Sequence, residues 1–127
     1  MLREIPNVQQ VPGEPSRRWF FSHEQDLLVW FGEDGAPSAF QLAYGKYRNE
    51  RAIRWKKETG FTHDGVDDGE NYGVVKQAAI LVGDGYFDAN AVLERFLEIS
   101  VELPAEIVSF VSERLSWHPN YEQPPER

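Results

Sequence analysis

The chain is expected to fold as an α+β domain: an antiparallel β-meander of four to five strands with two C-terminal helices packed on one face. Three observations predict this. Apolar residues alternate at period two through most of residues 17–56, the period changes to 3.6 after residue 88, and short polar or Asp-Gly turns separate the alternating runs. Strands first and helices afterwards is the order of a sheet whose helices cover one side.

Residues 1–16 hold Pro6, Pro12, Gly13 and Pro15 without periodicity, which predicts an extended, mobile N-terminal arm. Residues 17–118 form the single domain, and residues 119–127, with Pro124-Pro125, form a flexible tail. The first strand, 17–23, is read with Trp19, Phe21 and His23 inward and Phe20 outward. Glu24-Gln25-Asp26 then makes a short loop into a second strand at 27–31. Asp34-Gly35 is the strongest turn signal. Beyond it, 38–44 alternates with Phe40, Leu42 and Tyr44 on one side, and 51–56 places Ile53 and Trp55 inward. Residues 62–73 read as a long Gly- and Asp-rich loop. Residues 74–82 read as a fifth strand, although 74–79 is compatible with helix. Asp88 is suited to cap a helix carrying Val92, Leu93, Phe96 and Leu97, and Pro104 suits the first turn of a second helix carrying Ile107, Val108, Val111 and Leu115.

Composition narrows the function. At 127 residues and 41% hydrophobic, the chain is one domain long, and such a domain buries roughly two thirds of its unfolded surface without staples. Zero cysteine excludes disulfides, thiolate metal sites and cysteine nucleophiles. The serines lie in no Gly-x-Ser-x-Gly elbow. The longest apolar run, Ala78 to Val82, is far short of a membrane span, and the N-terminus has no apolar signal core, so a soluble, cytoplasmic protein with no membrane role is expected. A net charge of −8 disfavours nucleic acid as a partner.

That charge is unevenly distributed. Residues 1–45 carry −3 and residues 59–127 carry −9, but 46–58 carries +4. Arg54 and Lys56 project from the strand face opposite Ile53 and Trp55. With Arg48, Arg51, Tyr44 and Tyr47 nearby in sequence, they make a candidate surface for an anionic ligand or an acidic protein partner. The plainer alternative is that these charges solvate an open sheet face.

The 62–73 loop is the other constellation. His63, Asp64, Asp67, Asp68 and Glu70 could hold a divalent cation in a metal-dependent enzyme; no cofactor is required otherwise. An EF-hand register fails, because Val66 stands at its third position and Val75 at its twelfth. Turn chemistry at two Asp-Gly pairs is the simpler account. His23 reads as a core residue able to pair with Asp26, and His118 as exposed; Gly83-Asp84-Gly85 reads as a turn.

The aromatics add one constraint. Adjacent residues of a strand face opposite sides, so Phe20 and Phe21, or Trp30 and Phe31, cannot share a core layer. Large rings must therefore lie on the second sheet face, for which a homodimer is the simplest cover.

At Phe40-Gln41-Leu42-x-Tyr44, Glu50-Arg51-Ala52-Ile53-Arg54-Trp55, Gly60-Phe61-Thr62-His63 and Val66-Asp67-Asp68-Gly69-Glu70, the chain resembles an uncharacterised family of small bacterial proteins. Ile80-Leu81-Val82-x-Asp84-Gly85 extends the likeness, which spans most of residues 17–115. The resemblance implies a bacterial, cytoplasmic origin and transfers no catalytic role. Binding or self-assembly through an aromatic and basic sheet face is the function expected, ahead of catalysis.

Overall fold

The computed structural model describes residues 1–46, 50–65 and 87–123, with the side chains of residues 64 and 65 excepted. Among the described residues it forms an antiparallel six-stranded sheet in strict sequence order, followed by two helices. The strands are β1 (Arg3–Glu4), β2 (Arg17–Phe21), β3 (Gln25–Phe31), β4 (Pro37–Tyr44), β5 (Arg51–Lys56) and β6 (Gly60–Gly65). The helices are α1 (Ala89–Ile99) and α2 (Ala105–Ser116). The α+β class holds, with six strands among the described residues rather than four or five. The fifth strand expected at 74–82 and the Gly83-Asp84-Gly85 turn lie outside the described residues.

Both additional strands stand at the ends of the described strand order. β1 pairs Arg3 with Phe21, and Leu2 beside it is completely buried, its amide bonded to the Ile99 carbonyl. The arm expected over residues 1–16 thus contributes an edge strand and a core side chain at its start. β6 takes residues 62–65 out of the expected loop and pairs them with β5. The turn before it places Gly60 at φ +73°, a left-handed backbone that glycine adopts without steric cost.

The register decides which side chains meet the helices. Phe20, Leu27, Leu42, Ile53 and His63 lie in one cross-strand row. Phe20, Leu27, Leu42 and Ile53 are fully buried with Phe40, Val29 and the apolar stripes of α1 and α2. Phe20 therefore faces the core, and Trp19, Phe21 and His23 face away, opposite to the expectation for β2. Alternation alone did not discriminate, because aromatic rings occupy both parities of this strand. Pairing with an unambiguous neighbour settles it, since a one-residue slip would expose Leu27 and Leu42.

The first hairpin is tighter than expected. Gln25 already belongs to β3, and the turn is His23-Glu24, closed by Ser22. The Ser22 hydroxyl donates to the Gln25 carbonyl at 2.7 Å and accepts from the Gln25 amide at 2.8 Å. Asp34 and Gly35 form the next turn as expected: the Asp34 carboxylate accepts from the Ala36 amide, and Gly35 has φ +81°. The Asp88 carboxylate accepts from the Ala91 amide at 3.1 Å and caps α1. Pro104 stands at the N-cap of α2, one place before the first turn. Among the described residues no helix is long and apolar enough to cross a membrane.

Candidate functional site

The sheet has two unlike sides. Toward the helices, Phe40, Trp55, Phe110 and Trp117 form an aromatic file, and the Arg114 guanidinium lies 4.1–4.8 Å from the ring centres of Trp55, Phe110 and Trp117. That arginine is a packing element, attracted by the negative ring faces.

The opposite side carries rows that alternation places together. One runs Trp19, Leu28, Gln41, Arg54, Thr62, and its neighbour runs Arg17, Trp30, Ala39, Lys56, Gly60. A third runs Arg3, Phe21, Asp26, Ala43, Ala52. Ala39, Ala43 and Ala52 lie low and buried between larger neighbours. Trp19, Leu28 and Trp30 are half-buried, and Phe21 is exposed. Large rings on the second face are thus observed, as the adjacent-aromatic argument required. Neither described helix packs on this side.

Its charges are held in place. Arg54 donates through Nε and Nη2 to the Gln41 side-chain oxygen at 3.1 and 2.7 Å. Arg17 donates to the Gln9 carbonyl, and Lys46 forms an ion pair with Asp26 and sits over the Phe21 ring. Lys56 is exposed. The helical layer has the opposite sign: residues 88–118 carry Asp88, Glu94, Glu98, Glu102, Glu106 and Glu113 against Arg95 and Arg114. Among the described residues, charge is thus polarised across the sheet.

The candidate binding residues divide accordingly. Arg54 and Lys56 share the side on which neither described helix packs. Tyr44 and Arg51, partners in register, share the parity of Ile53 and belong to the helix side. Tyr47 and Arg48 lie outside the described residues. Of the metal set, His63 is on β6, Asp64 is described in its backbone alone, and Asp67, Asp68 and Glu70 lie outside the described residues.

His63 joins a different cluster. Its Nε2 shares a 2.5 Å hydrogen bond with the Tyr44 hydroxyl, and its ring centre lies 5.1 Å from Phe87. Phe87 is in turn 4.7 Å from His118, which also contacts Phe61 at 4.9 Å. His118, expected to be exposed, is half-buried. Its Nδ1 accepts from the Asn120 amide at 3.0 Å, and Asn120 also donates to the Phe87 carbonyl. Burial, and secondarily the positive charge available to His63, hold the His118 imidazole below its ordinary pKa of 6.5. This cluster brings together rings 74 residues apart in sequence, so no local pattern announced it. His23, expected inward, is exposed beside Phe21.

Adjoining Tyr44 on the helix side is an open cleft of about 480 Å³, walled by β3, the end of β4 and the first turns of α1. Gln25 lines it, is only 3% exposed, and leaves its side-chain oxygen without a hydrogen bond. Leaving such a group unpaired costs about 1–3 kcal/mol.

No protein-family model matches the chain, and the comparisons with curated proteins and with solved structures likewise found no match.

Proposed function

We propose that the protein is a binding domain, acting without a cofactor as a soluble cytoplasmic protein, whose working surface is the side of the sheet on which neither described helix packs. Its partner is an acidic protein segment that also presents apolar side chains. The observation that carries this reading is that Trp19, Phe21 and Trp30 share one side of the sheet with Arg17, Arg54 and Lys56. Aromatic residues and arginine contribute large contact area and directed hydrogen bonds at interfaces, and they dominate binding energy where measured. The cations select the sign of the partner and speed its approach.

Charge also ranks the occupants. A second copy docked face to face would oppose Arg17, Arg54 and Lys56 to a like-charged set, so an isologous homodimer through this side is the weaker alternative. A basic patch on a chain of net charge −8 favours a compact acidic segment over a long polyanion, whose remaining phosphates would meet the acidic helical layer.

A labelled peptide of alternating Glu and Leu, and its Lys-Leu counterpart, test the reading by fluorescence anisotropy. The acidic peptide is expected to bind at low salt, to weaken as salt rises, and to lose binding to the Arg54→Glu/Lys56→Glu variant. Equal binding of both peptides, or unchanged affinity in the double variant, overturns it.

A further inference from the structure

We infer that the acidic, apolar partner is a second copy of this chain: the C-terminal end of α1 of one copy docks on the basic, aromatic side of the next copy's sheet. The inference rests on the reading of that sheet side given above and adds the identity of its occupant.

The end of α1 has the chemistry the sheet side calls for. Leu97 and Val101, four positions apart, are 45% and 68% exposed where a surface helix is ordinarily polar. Met1 is exposed too, next to Leu2, whose amide meets the Ile99 carbonyl, so it stands at the same end of the helix. Carboxylates surround these apolar groups. Glu94 lies three positions before Leu97, Glu98 and Glu102 follow Leu97 and Val101 directly, and all three are exposed. Arg95 is already held by Glu24 and Glu98. The last turn of α1 has no basic side chain to offset the negative end of the helix dipole. On the sheet side, Arg17, Arg54 and Lys56 supply the opposite sign, and Trp19, Phe21 and Trp30 supply apolar area.

Placement decides the geometry of assembly. Val92, Leu93 and Phe96 of α1 pack with Leu27, Leu42 and Ile53, so α1 covers the side of the sheet opposite Arg54 and Lys56. Two copies therefore cannot return each other's contact. The interface is heterologous, and copies add head to tail. No like-charged faces meet, which is the objection to an isologous dimer. Two bodies of net charge −8 still repel at long range, so the association is weak, with a dissociation constant of about 0.1–1 mM.

Light scattering of the full chain up to about 1 mM, in about 0.1 M salt where repulsion beyond about 10 Å is screened, tests the inference. The average mass is expected to rise with concentration without levelling at twice the monomer. Arg54→Glu/Lys56→Glu removes the receiving side, and Leu97→Ser/Val101→Ser removes the docking end. Each variant alone should stay monomeric while giving the parent's circular dichroism. Mixed in equal amounts, they hold one intact surface of each kind and should form a 1:1 dimer that grows no further. A parent that stays monomeric or stops at a dimer, a variant that associates alone, or a mixture that stays monomeric overturns the inference. The peptide titrations, run well below this concentration, read the sheet side by itself. Peptide binding without self-association would remove only the second copy as occupant, whereas loss of peptide binding would remove the reading beneath it.

Discussion

At the scale of single residues, neighbours of identical chemistry have opposite duties. Phe20 is completely buried against Leu27 and the helices, while Phe21 is 40% exposed beside Lys46. Phe20→Ala should cost about 3–5 kcal/mol in denaturant unfolding, the transfer free energy of a buried ring plus that of its cavity. Phe21→Ala should cost less than about 1 kcal/mol, as a surface change does. Equal costs would contradict the register. His118 supplies a pH dependence. Its folded-state pKa lies below the ordinary 6.5, so the unfolded chain binds the proton more readily. Stability is complete above pH 6.5, falls as pH drops below it, and levels off once the folded imidazole is itself protonated. His118→Asn keeps an acceptor for the Asn120 amide and removes the titration, so the slope of stability between 6.5 and that lower value should flatten. An unaltered slope would assign the dependence to other groups.

At the scale of elements, β3, β4, β5 and both helices were legible because each has one apolar side and all but β5 have a strong terminal signal: Asp34-Gly35, Asp88, Pro104. β6 was not. Thr62-His63-Asp64-Gly65 lacks an alternating apolar pattern, and its Asp-Gly pair reads as a turn; hydrogen bonding to β5 supplies what the side chains do not. One signal for it was present, since Gly60 after Glu58-Thr59 suits the left-handed position of a three-residue hairpin loop. β1 is two residues long and follows no pattern; it exists because Leu2 enters the core and its amide meets the end of α1. Leu2→Ala should therefore destabilise by about 2–5 kcal/mol despite lying at the chain's start, where a mobile arm would give no change. Asp88→Ala should remove about 1 kcal/mol by uncapping α1. The candidate basic surface was half legible. Strand parity correctly grouped Arg54 with Lys56, but sequence proximity wrongly suggested that Tyr44 and Arg51 accompany them, when register turns both toward the helices.

At the scale of the whole molecule, the sheet separates, among the described residues, a basic, aromatic side from an acidic helical layer, so a chain of net charge −8 can still present a cationic surface. The polarity follows from where the sequence places its charges. The +4 segment contains β5, whose Arg54 and Lys56 face away from the helices, and α1 and α2 carry most of the described acids beyond residue 88. Such an arrangement orients an approaching partner before contact, and salt should weaken that attraction. The most direct measurement of the central claim is an amide and indole chemical-shift map of the full chain titrated with the Glu-Leu peptide. The account predicts that the Trp19 and Trp30 indoles and the amides around Arg54 and Lys56 shift together, with α1 and α2 unchanged. Shifts confined to α1 or α2, or none at saturating peptide, would contradict it.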